Sequence, residues 1–295
     1  LPQDKGQGGP MVPIVEHADV RRMLLASKSY AEVSVALVMF CSRLQDEAQT
    51  AEREEDREAA ALLLDVLTPI AKSFPSQYAV KASDLAIQVH GGYGYTRDFP
   101  VEQLYRDNRL NPIHEGTHGI QANDLLGRKV AMRGGAGLDL LVRRIAQTCE
   151  AAGGGAGEAA GETAAGAGAD TQAWAAKLRA AVERAVQVTR TVHGRDSANA
   201  ALKDAALYLE AMGHIVAAWL WLDMVNTIDS AGAGEGAGEG GVASSAGAES
   251  DATFYAGKRA AAQYFFEYEL PHALTLLDVM ENASDVLLDV DPKSL

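Results

Sequence analysis

Residues 13–49 read PIVEHADVRRMLLASKSYAEVSVALVMFCSRLQDEAQ. Apolar residues recur in this stretch at steps of three and four, namely Val20, Met23, Leu24, Tyr30, Leu37, Val38, Cys41 and Leu44. Only a helix turns residues at that spacing toward one side. The stretch therefore predicts one long helix from about Pro13 to Gln49.

The helical pattern continues beyond this stretch. A second stripe comprises Leu63, Leu67, Ile70, Phe74, Tyr78, Leu85 and Val89. Pro69 and Pro75 lie inside it, so we expect a kink there, or a break into two helices. Two further helical patterns, at residues 120–132 and 138–149, are separated by Gly134 and Gly135.

The last third of the chain has the same periodicity. Residues 174–229 predict a helical hairpin that turns near Gly194, and residues 253–288 predict a single long helix. Its inner stripe would hold Tyr264, Phe265, Tyr268 and Leu276. We interpret this aromatic cluster and the pair Trp219 and Trp221 as packing between helices, not as a stack for a cofactor. No alternating segment stands out, so the fold class is all-α, built from bundles of long antiparallel helices.

Two stretches of Gly, Ala and Ser, residues 151–170 and 230–251, divide these patterns. Small residues at this density bury too little apolar surface to offset chain entropy, so we interpret them as flexible. The predicted organisation is a helical domain at 1–149, a linker at 150–170 and a second helical domain at 171–295. The flexible loop 230–251 lies within the second domain.

Charge and composition limit the classes of partner. The 295 residues carry a formal net charge of -14, which argues against a nucleic acid or an anionic membrane surface as partner. Two isolated cysteines, Cys41 and Cys149, favour a reducing compartment, cytoplasmic or mitochondrial. No apolar run approaches the ~20 residues of a membrane span.

Four histidines outside any motif are expected to be ordinary surface or helix-end residues, namely His17, His193, His214 and His272.

The unusual chemistry is concentrated in residues 88–129, QVHGGYGYTRDFPVEQLYRDNRLNPIHEGTHGIQANDLLGRK. Gly91, Gly92 and Gly94 end a helix where missing Cβ atoms let a phosphate approach the backbone, although a glycine-rich helix cap gives the same pattern. The spacing is not that of the dinucleotide fingerprint, because Arg97 occupies the third glycine position. Residues 97–144 hold eight basic and six acidic side chains in an otherwise acidic chain, which favours an anionic ligand or a surface ion-pair network.

Residues 114–118 satisfy the pattern H-E-x-x-H of zinc hydrolases. On a helix, His114 and His118 would share one face and bind zinc. Pro112, Gly116 and Thr117 disfavour a helix there, and no downstream residue has the spacing of a third ligand. We therefore predict no metal site and keep the zinc hydrolase as a lesser alternative.

Taken together, residues 88–121 resemble the C-terminal helical domain of acyl-CoA dehydrogenases, flavoproteins that introduce a 2,3-double bond into acyl-CoA thioesters. QxxGGxGY, P-V-E-x-L-x-R-D and I-x-EGT-x-x-I-Q occur here in the order and spacing of that family. The segments after residue 149 resemble the helical extension of larger members, including those similar to 3-methylmercaptopropionyl-CoA dehydrogenase.

The resemblance assigns roles residue by residue. Glu115 matches the catalytic base, which we expect to be buried in an apolar acyl pocket and thereby more basic. Gly116 and Thr117 match positions beside the flavin. Gln88, Gly91 and Gly92 match residues that reach the FAD of a neighbouring subunit, which implies a homo-oligomer with a shared FAD site.

The resemblance also implies what the 295 residues lack. Family enzymes carry an N-terminal helical domain and a middle β-domain before this bundle, and these supply most contacts to flavin and acyl-CoA. We therefore expect the chain alone to bind FAD weakly or not at all and not to turn over acyl-CoA. The whole enzyme would use FAD, an acyl-CoA substrate and an electron-transfer acceptor. A stand-alone helical oligomerisation module is the alternative.

Overall fold

The computed structural model describes residues 11–152, 162–234 and 245–295. Every regular element among these residues is helical, which confirms the all-α fold class. The helices of the first part are α1 (Ala18–Thr50), α2 (Glu54–His90), α3 (Val101–Asn108), α4 (His118–Asp124) and α5 (Ala136–Ala151). Those of the second part are α6 (Glu162–His193), α7 (Ala198–Leu202), α8 (Ala205–Gly234), α9 (Ser245–Tyr264), α10 (Leu270–Asn282) and α11 (Val286–Asp289).

Helices α1 and α2 follow the two predicted stripes and pack against each other. Helix α2 runs without interruption from Glu54 to His90 through Pro69 and Pro75, so the predicted break into two helices does not occur. A proline removes one backbone hydrogen bond of its helix. Helix α2 packs against α1, and its side chains Leu63, Leu67 and Phe74 are buried, which offsets the backbone hydrogen bonds lost at the two prolines.

The predicted turns between helices are mostly confirmed. Helix α6 ends at His193, next to the predicted turn at Gly194. Arg133, Gly134 and Gly135 all have positive φ and separate α5 from the segment before it. Helix α6 begins at Glu162, inside the predicted linker 150–170, while residues 153–161 and 235–244 lie outside the described residues. Of the predicted loop 230–251, residues 235–244 fall on this second gap, whereas residues 230–234 belong to α8 and residues 245–251 belong to α9.

The prediction of a single long helix over residues 253–288 is wrong. A π-helical turn, Phe265–Glu269, separates α9 from α10, and α10 ends at Asn282. A π turn inserts one extra residue, so the inward face moves along the sequence. Tyr268 is consequently 60% exposed and does not lie on the inner stripe, whereas Phe266 and Glu269 are buried.

One apolar core joins the two predicted domains. Gly213 of α8 lies against the ring of Phe74 of α2, where an added Cβ would be 3.0 Å from Cδ2. The ring centroids of Phe40 and Trp219 are 5.1 Å apart, and Trp219 Nε1 donates to Thr148 Oγ1 at 2.8 Å. Trp219, Trp221, Tyr264, Phe265 and Phe266 are all buried, so these aromatic side chains fill the core as expected.

Two described helices are long and apolar enough to cross a membrane by length and composition, Ala18–Thr50 and Ala205–Ala231. Helices in the core of a protein also meet this criterion, so neither helix is a clear membrane span. In the most apolar 18-residue window of the second helix, 83% of residues are buried, as in the core helix of a globular fold. The corresponding window of the first helix is 33% buried.

Candidate functional site

The glycine turn follows directly from the end of α2. Gly91 has φ +59° and Gly94 is packed so closely that an added Cβ would lie 2.5 Å from the Ile87 carbonyl oxygen. Backbone conformation therefore accounts for glycine at 91, and packing accounts for it at 94. Gly92 has neither constraint, because its φ is not positive and nothing lies within 4 Å of an added Cβ. Gln88, one turn earlier, is exposed, so the side of this turn that carries Gln88 and Gly92 is open to a ligand.

A short loop, residues 109–117, connects α3 to α4 and carries the EGT motif. The amide of Ile113 donates to the Leu110 carbonyl at 3.0 Å, which closes a turn inside the loop. Lys72 of α2 donates from Nζ to the Asn111 carbonyl, also at 3.0 Å. The loop is therefore fixed to α2 at its beginning.

Glu115 lies near the end of this loop with φ +51°, a conformation that residues with a Cβ rarely adopt. Gly116 follows with φ +92°, and the side-chain amide of Gln121 approaches the Glu115 carbonyl at 3.4 Å. The Glu115 side chain is exposed, and its carboxylate has no hydrogen bond or ion pair with any described residue. Glu115 is thus exposed in this chain, because no helix among the described residues covers the loop.

The zinc-hydrolase pattern is not built on a helix. His114, Glu115 and Gly116 form a bend, and α4 begins only at His118. The two histidines therefore do not share a helical face, as Pro112 and Gly116 predicted. Among the described residues there is no group of three or more His, Cys, Asp or Glu side chains that could hold a metal ion.

An open cleft of about 790 Å³ lies beside the loop. Thr117, His118 and Gly119 form one side of it, Lys81 and Asp84 of α2 form another, and Glu210 of α8 contributes a carboxylate from the second half of the chain. A second groove, of about 510 Å³, lies between α1 and α2 and is lined mainly by apolar side chains such as Val35, Val38 and Met39.

Sequence reasoning missed a buried polar cluster, which we call the Glu269 cluster. Tyr30 and Tyr264 donate to Glu269 Oε1 at 2.5 and 3.2 Å. Lys81 Nζ and His214 Nε2 each lie 3.7 Å from Glu269 Oε2. Burial opposes ionisation, but His214, Lys81 and Tyr30 together lower the pKa of Glu269 to about 2. The cluster connects α1 and α2 to α8 and the π turn.

His214 corrects the expectation of ordinary surface histidines. Its side chain is fully buried, and its Nε2 is 2.7 Å from the Tyr78 hydroxyl. Its Nδ1 lies 2.8 Å from the Glu210 carbonyl oxygen, which can only accept, so Nδ1 is a hydrogen-bond donor. The one signal in the sequence was a single histidine inside the apolar run of residues 211–222, and its partner Tyr78 lies 136 positions away.

Two family models together match almost the whole chain. The model described as Acyl-CoA dehydrogenase, C-terminal domain, matches residues 4–130. The model described as Acetyl-CoA dehydrogenase C-terminal like matches residues 141–291, which is half of the chain. The first range ends at residue 130, before α5 begins, and the second range begins at residue 141, within α5.

Curated relatives carry related names. The chain is 42% identical over 143 residues to a 3-methylmercaptopropionyl-CoA dehydrogenase of Ruegeria pomeroyi, covering 48% of this chain and 24% of that protein. It is 29% identical over 301 residues to the broad-specificity linear acyl-CoA dehydrogenase FadE5 of Mycobacterium tuberculosis, covering 99% of this chain and 45% of that protein. The chain thus spans less than half the length of either relative.

Solved structures share the fold. The structure of Caenorhabditis elegans ACDH-11 in complex with C11-CoA aligns with a TM-score of 0.63 at 16% identity, over 96% of this chain and 42% of that one. An acyl-CoA dehydrogenase of Bacillus anthracis complexed with FAD aligns with a TM-score of 0.57 at 20% identity, over 97% of this chain and 46% of that one. Since the fold agrees with these structures and a family model covers half of the sequence, the chain belongs to the acyl-CoA dehydrogenase family.

Proposed function

We propose that this chain forms the C-terminal helical part of an FAD-dependent acyl-CoA dehydrogenase, with Glu115 as the base. The observation that carries the proposal is the conformation of Glu115. A glutamate held at φ +51° beside Gly116, with a carboxylate that bonds to none of the described residues, is available to an external group. Its place in the EGT motif of the family supports the role of base.

The described residues fit a flavin nucleotide at the glycine turn. Neither packing nor backbone conformation requires a glycine at position 92, and the surface there is open. Gln88 adds an exposed amide one turn away. Backbone N–H groups without side chains beside them suit the phosphates of a dinucleotide. The chemistry that FAD supplies when bound is acceptance of the hydride from the β-carbon of the substrate. Gly116 and Thr117 would lie beside the flavin ring.

Glu115 would take the α-proton of the thioester on a carboxylate oxygen. A carboxylate becomes a stronger base when water is excluded from it. In this chain Glu115 is in contact with solvent, so we propose that it becomes effective only when another part of the enzyme covers the loop. For the same reason we expect the 295 residues alone not to dehydrogenate acyl-CoA.

The remaining features of the proposed enzyme follow from the family. We propose a homo-oligomer in which Gln88, Gly91 and Gly92 reach the FAD of a neighbouring subunit, together with an electron-transfer acceptor. The free thiols of Cys41 and Cys149 support a reducing compartment, cytoplasmic or mitochondrial.

The test uses the polypeptide that contains this chain together with the reading frame found upstream of it. A suitable acyl-CoA should bleach the flavin absorbance of that protein. Glu115→Gln should abolish the bleaching and retain the flavin, whereas Glu55→Gln, which changes an exposed glutamate at the start of α2, should behave as the parent. Bleaching that persists in Glu115→Gln would remove Glu115 from the mechanism.

Two other outcomes would favour the alternatives. An authentic start codon at residue 1 and a flavin-free protein would support a stand-alone oligomerisation module. About one equivalent of bound zinc that is lost in His114→Ala would support the zinc hydrolase. Because the backbone of residues 114–116 is bent, we expect the protein to bind no zinc at this motif.

A further inference from the structure

Helix α1 has two apolar faces, and the described part of the chain covers only one of them. The covered face includes Leu37 and packs against α2. On the other face, Ala31, Val35 and Val38 are spaced four and three residues apart, so they point to the same side. Val35, Val38 and the neighbouring Met39 are 63%, 48% and 64% exposed. The second face is thus an apolar surface in contact with solvent.

The charged side chains of α1 lie on a different side of the helix. Its ion pairs Lys28–Glu32 and Arg43–Glu47 join residues four positions apart, and helical spacing places them away from Val35 and Val38. A helix that is apolar around most of its circumference is normally buried. In the most apolar 18-residue window of α1, only 33% of residues are buried. The second face therefore calls for a covering element.

This face forms one wall of the groove of about 510 Å³ between α1 and α2, which we call the α1–α2 groove. On α2 the groove is lined by the small side chains Pro75, Ala79, Ala82 and Ser83. Asn108 of α3 donates to Ser83 Oγ at 2.9 Å, and Ser83 donates to the Ala79 carbonyl at 2.8 Å, so these polar groups bond to one another. Small side chains let a second helix approach closely. The groove therefore has the shape and polarity to receive an apolar helix face.

The comparison with relatives indicates where such a helix comes from. The chain aligns over 99% of its length with only 45% of FadE5, and both family models are described as C-terminal. More than half of an enzyme of that size would precede residue 1. Val12, Ile14 and Val15, which lead into α1, are also exposed, so the uncovered apolar residues continue along the chain toward its beginning.

We propose that an amphipathic helix encoded upstream of residue 1 packs its apolar side into the α1–α2 groove. The inference rests on the proposed function, since it takes this chain as the C-terminal part of a longer enzyme. It adds the surface on which the two parts join and the chemistry of the joining segment. That segment is apolar where it meets Val35 and Val38 and polar where it faces water.

The test compares how fast a maleimide reacts with a cysteine of the groove in two proteins, the 295-residue chain and the longer polypeptide with the upstream reading frame. Val35→Cys places the thiol in the groove, and Met39→Cys places a second one there. Asp46→Cys is the matched control, because Asp46 is an exposed residue on the charged side of the same helix. All three are made in a Cys41→Ala background, and the remaining Cys149 is buried.

Val35→Cys and Met39→Cys should react at least about tenfold more slowly in the longer polypeptide than in the 295-residue chain, because the thiol is then reached only when the cover opens locally. Asp46→Cys should react at the same rate in both proteins. Since the side chains of Val35 and Met39 lie mostly in solvent, neither substitution disturbs the core of the 295-residue chain.

Four outcomes would overturn the proposal. Equal rates for the groove cysteines in both proteins, or the absence of an upstream reading frame, would show that no upstream helix fills the groove. Slowing in the 295-residue chain that grows with its concentration would assign the groove to a second copy, and slowing only with phosphatidylcholine vesicles would assign it to a lipid surface. Equal slowing of Asp46→Cys would show that the whole helix, not the groove, is shielded.

The labelling experiment needs neither substrate nor flavin reduction, so its failure can be told apart from failure of the proposed function. A longer polypeptide that protects Val35→Cys but does not bleach its flavin with any acyl-CoA would refute the proposed activity and leave this inference standing. Bleaching without protection of Val35→Cys would refute the inference alone.

Discussion

Gly92 and Gly94 are two positions apart in one turn, yet they are glycines for different reasons. An alanine Cβ at 94 would lie 2.5 Å from the oxygen and 2.9 Å from the Cα of Ile87, both backbone atoms that cannot move aside. An alanine Cβ at 92 would meet nothing within 4 Å. The first glycine therefore serves the fold, and the second is available to serve a ligand.

The corresponding substitutions should separate stability from flavin binding. We expect Gly94→Ala to lower the free energy of unfolding by about 1–3 kcal/mol through overpacking. Gly92→Ala should leave it nearly unchanged and instead weaken flavin retention in the longer enzyme. Urea denaturation and the flavin-to-protein absorbance ratio measure the two effects. Similar urea midpoints for both variants would contradict the assignment.

Glu269 makes the stability of the chain depend on pH. Its pKa is lowered to about 2 in the folded chain, below its ordinary value of 4.5. A carboxyl group whose pKa is lower in the folded state stabilises the fold fully at pH values above its unfolded pKa. This contribution is lost as the pH falls from about 4.5 toward 2. Glu269→Gln should therefore lower the free energy of unfolding by about 3 kcal/mol at pH 7.

The difference between parent and Glu269→Gln should shrink as the pH falls below about 4.5, since the parent loses its advantage there. Urea denaturation at a series of pH values measures this dependence. Glu267→Gln is the matched control, because Glu267 lies on the same π turn but is exposed. A difference that stays constant with pH would contradict ionisation of Glu269 in the folded state.

The π turn between α9 and α10 shows how an element can alter the pattern read from a sequence. An ordinary helix would place Tyr268 inward, one turn after Tyr264 and Phe265. With one extra residue in the turn, Glu269 moves inward and reaches Tyr30, while Tyr268 stacks on Tyr264 at a centroid distance of 4.9 Å. The turn thus delivers a carboxylate to the core.

Substitutions of a buried and of an exposed residue of this turn should differ sharply in the stability that is lost. Phe266 is fully buried and stacks on Trp174, so Phe266→Ala should lower the free energy of unfolding by about 3–5 kcal/mol. Tyr268→Ala should cost about 1 kcal/mol at most, because its ring is largely in solvent. Chemical denaturation of both variants measures the two changes. Equal losses of stability would indicate that the helix continues through residues 265–269 without a π turn.

The helices could be predicted because their apolar spacing is a local signal. The bend at residues 114–116 could be predicted because Pro112 and Gly116 disfavour a helix. Glu115, Gly91 and Gly92 could be named from their motifs. The Glu269 cluster could not, since Tyr30 and Glu269 are 239 positions apart and become partners only through packing. The exposure of Glu115 also depends on which elements cover the loop, which spacing does not reveal.

At the scale of the whole molecule, the described residues of the two predicted domains pack against each other. Asn226 of α8 donates to the Thr148 carbonyl at 2.9 Å, and Arg179 of α6 donates to the Cys149 carbonyl at 2.8 Å. The buried rings of Phe74 and Tyr78 in the first part face His214 of the second. Helix α8 is consequently a shared core element.

A fragment of residues 1–149 should therefore not fold cooperatively, because removal of α8 leaves Phe74 and its apolar neighbours without cover. The complete chain should unfold in a single transition. Far-ultraviolet circular dichroism during heating compares the two. A fragment with a sharp transition at the midpoint of the complete chain would show two independent domains.

The packing of Trp219 has an optical consequence. The chain has three tryptophans, Trp174, Trp219 and Trp221, and all three are buried in the second part. Trp219 also touches the first part through Phe40 and Thr148. Separation of the two parts would bring its indole into water and shift tryptophan fluorescence to longer wavelength. The emission spectrum of the unlabelled protein thus reports whether the half that carries Glu115 is docked on its neighbour.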